Sequence, residues 1–310
     1  FAGLIERLGL KPLAAMIRSA PVGGARRGGI RLAGTHKAEG SRKRHVVLLA
    51  GCAQRSLRPD INDATIRLLT RLGIDVTVAA DAGCCGALVH HLGREEEGRQ
   101  AARRNIDAWG KVSAADPVDA VLVNASGCGT QVKDYGYLLK ADPAYAEPAA
   151  RISSITRDVT EFLAAEDFGP PLRWSSLNVA YHSACSMQHG QQLSGPPRTV
   201  LRRAGFSVVE IAEGHICCGS AGSYSLLQPD LSQQLKARKI ANIEQLRPDA
   251  VATGNIGCLM QIAGGTEIPV VHTIELIDWA YGGPVPRGLE AHKDRVREVP
   301  KGGPAARPAA

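Results

Sequence analysis

Eight cysteines carry the chemistry this sequence offers, and their spacing is what most needs explaining. They fall as Cys52, Cys84, Cys85 and Cys128, then Cys185, Cys217, Cys218 and Cys258. Thirty-one residues separate Cys52 from Cys84, and again Cys185 from Cys217. In each set an adjacent pair runs into a glycine, Gly86 or Gly219. A lone cysteine closes the set after 42 intervening residues in the first and 39 in the second. No cysteine lies outside this pattern. Self-similarity of this kind marks a duplicated structural unit.

Four thiolates gathered at one place suit an iron–sulfur cluster or a structural zinc ion. Zinc usually takes cysteines as C-x2-C knuckles, because two intervening residues let one turn present both sulfurs to a single ion. No C-x2-C occurs here. Adjacent cysteines reach one small ion awkwardly and serve two iron atoms of a cluster more easily. A vicinal disulfide would close a strained ring. The pattern therefore favours a cluster, with zinc, a redox thiol pair and buried structural cysteines as the other readings.

Several histidines lie near these positions. His182 and His189 flank Cys185, His90 and His91 follow the first pair, and His215 precedes Cys217. Each is a candidate hydrogen-bond donor to a ligand or an additional ligand. For each of them an ordinary surface or hydrogen-bonded role competes, less strongly for His182 and His189, which both stand close to Cys185. Gly83, Gly86 and Gly219 beside the cysteine pairs let the backbone turn tightly and come close to a bound group.

The elements that must bring these residues together follow from hydrophobic pattern and turn chemistry. In the first copy, residues 45–51 read as a buried strand, 61–72 as a helix closed by Gly73, and 74–79 as a strand. Residues 94–109 then read as a helix and 119–125 as a strand. The second copy repeats the order: strand 177–182, helix 197–204, strand 206–211, helix 229–246, strand 250–254, and then a further strand at 268–271 with a helix through Trp279. Alternating β and α elements predict a parallel sheet with helices on its faces. The fold class is thus α/β, a tandem duplication of a small parallel-sheet domain. Every cysteine locus is expected in a loop just past the carboxyl end of a strand, where ligands bind in such sheets. The expected organisation is a basic, flexible segment at 1–44, cysteine-rich domains at 45–170 and 171–284, and a basic, flexible tail at 285–310.

Composition narrows the function. The net charge is +7, yet residues 1–45 carry +8 and residues 285–310 carry +3, so the body between them is mildly acidic. A nucleic-acid groove would need the positive charge on the body, and at 4% aromatic residues there is little to stack bases on. No run of about 18 apolar residues is present, and no secretory signal is legible at the start. The expected compartment is a reducing cytoplasm, where patterned cysteines serve metals or redox chemistry. The basic flanks could meet a partner or an anionic membrane surface. No dinucleotide loop, Walker loop or nucleophile elbow occurs, and no catalytic residue is assigned. Glu161 and Glu275, at matching places in the last helices of the two copies, read as helix caps or solvated residues rather than catalytic ones.

Several segments resemble the iron–sulfur subunit of glycolate oxidase (glycolate dehydrogenase). They are Gly51-Cys52-Ala53-Gln54, Ala82-Gly83-Cys84-Cys85-Gly86-Ala87, Arg103–Trp109, Ser183–Gly190, Ile216–Gly222 and Gly254–Cys258. The wider superfamily includes the cysteine-rich subunit of heterodisulfide reductase. The resemblance implies an electron-transfer subunit of an oxidoreductase complex in glyoxylate metabolism, carrying one or two clusters of the 4Fe-4S kind. FAD is expected only on partner subunits, which oxidise the 2-hydroxy acid. Electrons would pass to the quinone pool, with the chain at the cytoplasmic face of the inner membrane. Two departures stand out. The ferredoxin-like runs C-x2-C-x2-C-x3-C-P are missing, which reads the chain as the C-terminal portion of a longer subunit or a shortened relative. In place of a fifth cysteine in each copy stand Gln131 and Gln261, unlike the five-cysteine clusters of heterodisulfide reductase. A thiol–disulfide redox protein of that type, and a zinc-bound or metal-free scaffold subunit, are the alternatives.

Overall fold

A computed structural model describes residues 32–299. Two α/β modules follow one another. The first contains β1 (Gly34–His36), β2 (Arg44–Leu49), β3 (Ile74–Val78), β4 (Ala120–Val123) and β5 (Thr156–Asp158), hydrogen-bonded in the order β1-β3-β2-β4-β5. A two-stranded ribbon pairs β6 (Arg173–Ser175) with Val296–Glu298. The second module contains β7 (Asn178–His182), β8 (Ser207–Glu210), β9 (Ala250–Thr253) and β10 (Val270–His272), in the order β10-β9-β7-β8. Without the antiparallel edge strand β1, both sheets are parallel and share one strand order. The tandem duplication read from the cysteines is thus present in topology. It extends to register, since Leu49 pairs with Val123 as His182 pairs with Thr253.

The strands form because they are short apolar runs that can be covered on both faces. In β2, Val46 and Leu48 face a core that continues into the second module, while Val47 and Leu49 face a second core with Trp109, Tyr135, Val121 and Val123. The first core joins the modules. The helix Asp60–Arg71, which follows the first strand of the first sheet, packs on the last helix of the second module, Thr273–Ala280. The helix Pro196–Arg203, its counterpart, packs on Val159–Ala165. Each module therefore covers the other's terminal helix. Glu161 and Glu275 complete capping boxes with Asp158 and His272 at the starts of these helices.

The predicted elements appear with small shifts in their ends, and three features differ. The helix predicted at 94–109 runs from Glu95 to Ala115. The last strand of the first sheet, Thr156–Asp158, is polar at all three positions and has no apolar run to announce it. Cys128 and Cys258 do not sit in loops, because the helices Ser126–Lys133 and Ile256–Ala263 begin immediately after β4 and β9 and include them. Of the basic flanks, residues 1–31 and 300–310 lie outside the described residues. Within residues 32–44, Gly34–His36 pairs with β3, and within 285–299, Val296–Glu298 pairs with β6.

Polar groups fix the contact between modules. Arg58 places Nη2 2.7 Å from Glu275, with both side chains buried. Arg67 donates to Asp278 at 2.6 Å. Fully buried His272 accepts from the Ile274 N–H through Nδ1 and donates from Nε2 to the backbone oxygen of Asn124, 2.8 Å away in the first module. Both ring nitrogens are committed in the neutral form, and burial holds the pKa of His272 down at about 4. A free histidine titrates near about 6.5. A depressed pKa contributes stability that is complete above the unfolded value and is lost as pH falls through the folded one. His272 should therefore contribute up to about 3 kcal/mol that disappears between about pH 6.5 and about pH 4. Asp158, buried and raised to about 6, acts in the opposite direction, so the comparison must be between variants. Urea denaturation at about pH 7.5 and about pH 5 should show the wild type losing more stability than His272→Gln. Equal losses would remove this role.

Candidate metal centres

Three loci from each sheet converge at the carboxyl ends of its strands. Cys52 follows β2, Cys84 and Cys85 follow β3, and Cys128 lies in the first turn after β4. In the second module Cys185 follows β7, Cys217 and Cys218 follow β8, and Cys258 lies in the first turn after β9. All eight are free thiols.

The interactions within the two sets follow the same order. Cys52 acts on Cys84, Cys84 on Cys85, and Cys85 on Cys128, neighbour to neighbour along the set. Cys185 acts on Cys217, Cys217 on Cys218, and Cys218 on Cys258. In each set the first cysteine of the adjacent pair is drawn down furthest, and in the second set Cys258 is drawn down too, to about 6, by Cys218 and His182 against the effect of burial. Cys84 is pulled down to about 2 by the thiols of Cys52 and Cys85 and by the Gly86 N–H, which donates to its sulfur at 3.5 Å. Cys217 is pulled down to about 2 by Cys185, Cys218 and the Gly219 N–H, at 3.3 Å. The first thiol of each set is held protonated: Cys52 is pushed up by Cys84, and Cys185 by Cys217. Cys85 is pushed up by Cys128 and Cys84, and Cys218 by Cys217 and Cys258. Shared protons are what remains when ligating sulfurs are close together. A metal centre displaces such protons on binding.

The glycines are explained by packing. Gly86 has φ +86°, and a Cβ there would lie 3.0 Å from the Gly98 oxygen and from Ala101 of the next helix. Gly219 has φ +88°, and its Cβ would overlap the Ser232 carbonyl. Both glycines press the cysteine loop onto the helix that follows it, and each aims an N–H at a sulfur. Gly83 donates its N–H to Asn105 Oδ1 at 2.8 Å. Asn105 also holds the Cys84 oxygen, and Tyr135 holds the Cys85 oxygen at 2.9 Å. Sequence reasoning missed Asn105 and Tyr135, since a polar residue in a helical run and a lone tyrosine give no signal of a second contact.

The histidines separate. One ring nitrogen of His182 and the sulfurs of Cys218 and Cys258 lie within 4.8 Å of one another, all buried. His182 is 2% exposed and its Nε2 has no hydrogen-bond partner. His189, on the π-helical turn Ser186–Gly190, is exposed, as are His91 and His215. His90 rests against Gly98. Of the glutamines at the fifth positions, Gln261 donates to Ser232 Oγ at 2.9 Å. Gln131 is buried with Nε2 unpartnered. Four sulfurs per site, with unpartnered buried nitrogens at His182 and Gln131, fit an anionic thiolate-ligated group. The two sites adjoin. Ser126 donates its N–H to the Gly254 oxygen at 3.0 Å, and Asn255 Nδ2 donates to Ser126 Oγ at 2.9 Å, so the turns carrying Cys128 and Cys258 touch.

Two parallel sheets of one topology, each closing four cysteines at its ligand-binding edge, define a tandem metal-ligating cysteine-rich protein. The family described as "Cysteine-rich domain" matches residues 46–133 and 179–263, and the chain belongs to that family. The chain is 43% identical over 238 residues to the glycolate oxidase iron-sulfur subunit of Escherichia coli, covering 77% of this chain and 58% of that protein. It is 32% identical over 254 residues to the probable glycolate oxidase iron-sulfur subunit of Bacillus subtilis, covering 78% and 56%. It is 28% identical to lactate utilization protein A of Bacillus licheniformis, covering 75% of this chain and 98% of that one. The chain thus spans just over half the length of the two glycolate oxidase subunits. Among solved structures, a hypothetical protein from Helicobacter pylori shares the fold, with TM-score 0.53 and 9% identity, over 86% of this chain and 54% of that one.

Gly219→Ala should destabilise the protein by about 2 kcal/mol, from the positive φ and the overlap with Ser232 together. Gly110→Ala, in the middle of a helix with open space around it, should be neutral or stabilising by up to about 1 kcal/mol. Urea denaturation curves of both variants check this. A Gly219→Ala chain as stable as wild type would show that the loop need not press on its helix.

Proposed function

We propose that the chain is the electron-carrying part of a flavin-dependent 2-hydroxy-acid dehydrogenase of the glycolate or lactate type. The observation that carries this reading is the repeated quartet: two sites of one topology, each with four cysteines at the strand ends and a glycine N–H on the first sulfur of the adjacent pair. The names of the relatives support it.

In this reading Cys52, Cys84, Cys85 and Cys128 hold one cluster, and Cys185, Cys217, Cys218 and Cys258 hold the other, each of the 4Fe-4S kind. Such a cluster supplies one-electron transfer without proton chemistry of its own. The residues of this chain do the rest. Cysteine sulfurs fix the group at the sheet edge. The Gly86 and Gly219 N–H groups donate to two of those sulfurs. Asn105 and Tyr135 hold the backbone carbonyls of the first cysteine pair, so the loop keeps its shape. Gly83, Gly86 and Gly219 set the loop conformation, and His182 faces the second group; His189 lies at the rim of that site.

The substrate would be oxidised on flavin-bearing partner subunits, and electrons would leave toward a quinone at the membrane surface. No helix among the described residues is long and apolar enough to cross a membrane.

Cys84→Ser and Cys217→Ser should each remove about half of the bound iron, and the double variant nearly all of it. Iron analysis on anaerobically purified variants reads this directly. In the complex with its flavin-bearing partners, glycolate or lactate should bleach the visible absorbance that dithionite bleaches. Absorbance that responds to dithionite and to neither acid would contradict the reading.

A further inference from the structure

Superposed by sheet register and by the glycine contacts, the two sites are equal in their sulfurs and unequal in what surrounds them. Register equates His182 with Leu49. Gly86 lies against Gly98 and Gly219 against Ser232, and seven residues further along the same helices stand Asn105 and Lys239. A leucine and an asparagine in the first module thus correspond to a histidine and a lysine in the second.

Lys239 is 1% exposed. Its ammonium donates to the backbone oxygen of Glu213 at 2.9 Å. Among the described residues no carboxylate comes within ion-pair distance of it, and the Glu213 carboxylate is held by Arg238 and Asn242. A buried ammonium without a counter-charge is costly. Burial pushes the pKa of Lys239 down, and the groups that push it back up are Cys218, Glu213, Cys217 and Cys258. Three of those four are sulfurs of the second site. His182, equally buried, places one ring nitrogen within 4.8 Å of the Cys218 and Cys258 sulfurs, and its Nε2 has no hydrogen-bond partner. The first site has a cation of its own, Arg104, which lies against Gly83 and acts on Cys84. Arg104 is exposed, however, and water and salt screen it.

We propose that Lys239 and His182 are the buried counter-charge and ring-nitrogen donor of the second centre, and that they hold its reduction potential above that of the first. This rests on the cluster reading given under Proposed function. Reduction deepens the negative charge of a thiolate-ligated cluster, so a nearby buried cation and an N–H directed at sulfur favour the reduced form. One electron then passes downhill from the reduced first centre to the oxidised second one, with no bond made or broken. A flavin-class donor would supply that electron and a quinone-class acceptor would take it up. The adjoining turns at Ser126 and Asn255 provide the short path between them.

The test is a redox titration followed by electron paramagnetic resonance on the anaerobically purified full chain, after its iron and sulfide have been measured. Wild type should show two midpoints. Lys239→Met and His182→Leu should each lower the higher midpoint by at least a tenfold change in the reduction equilibrium, which is about 59 mV for a one-electron couple, and leave the other in place. Lys239→Arg should restore most of the shift. Cys84→Ser, which keeps only the second site intact, should retain the higher midpoint, so the assignment stands even where a Lys239 variant fails to fold. Coincident midpoints in wild type, midpoints unmoved in both variants, or retention of the lower midpoint in Cys84→Ser would each overturn the proposal. A chain without iron at either site would instead remove the cluster reading, and the proposal with it.

Discussion

Four thiols held against one another and half withdrawn from water cannot all ionise, because each new thiolate meets the charge of the last. Everything at the two sites follows from that constraint. In each module the first cysteine of the adjacent pair, Cys84 or Cys217, takes the negative charge most readily; in the second module Cys258 is drawn down as well, while Cys52, Cys85, Cys185 and Cys218 are pushed up. The arrangement is held in place by the parallel sheet, whose strand ends bring together residues more than thirty positions apart, and by two glycines in left-handed conformation that lock each loop onto its helix. A scaffold that brings like ligands this close favours a cation that replaces the protons, since binding then releases the repulsion that the fold maintains.

Duplication supplied two such scaffolds, and the interface between them shows how little was left independent. Each module covers the last helix of the other, the main apolar core runs through both, and buried Arg58 reaches across to Glu275. The same interface brings the turns carrying Cys128 and Cys258 into contact through Ser126, Gly254 and Asn255. Two sites that adjoin across a rigid, buried contact suit passage of a charge from one to the other better than two separate chemical tasks. The sulfurs are preserved between the copies, whereas Leu49 and Asn105 in one correspond to His182 and Lys239 in the other.

Much of this was legible in the chain itself. The spacing of the cysteines is a repeat, and a repeat of β and α patterns implies one strand order used twice; for Glu161 and Glu275 capping was one of two readings left open, and the capping boxes decide it. The last strand of the first sheet was not legible, because Thr156-Arg157-Asp158 has no apolar run and is a strand only through its pairing with Val121–Val123. Nor was it legible that Cys128 and Cys258 begin helices, since a glycine beside a cysteine reads as a turn. His182 was singled out for its distance from Cys185, but the neighbours it faces are Cys218 and Cys258, which only the fold brings to it. Lys239 was invisible for a different reason. In a long helix with many charges, one lysine looks like any other, and only burial on the inner face distinguishes it.

The central claim is that the eight sulfurs exist to hold iron–sulfur clusters in both modules. It is tested most directly by measuring iron, acid-labile sulfide and zinc per chain, with a visible spectrum, on protein purified without air. The account predicts about eight irons with matching sulfide and a broad visible absorbance that dithionite bleaches. One zinc per site, or thiols that bind no metal at all, would contradict it.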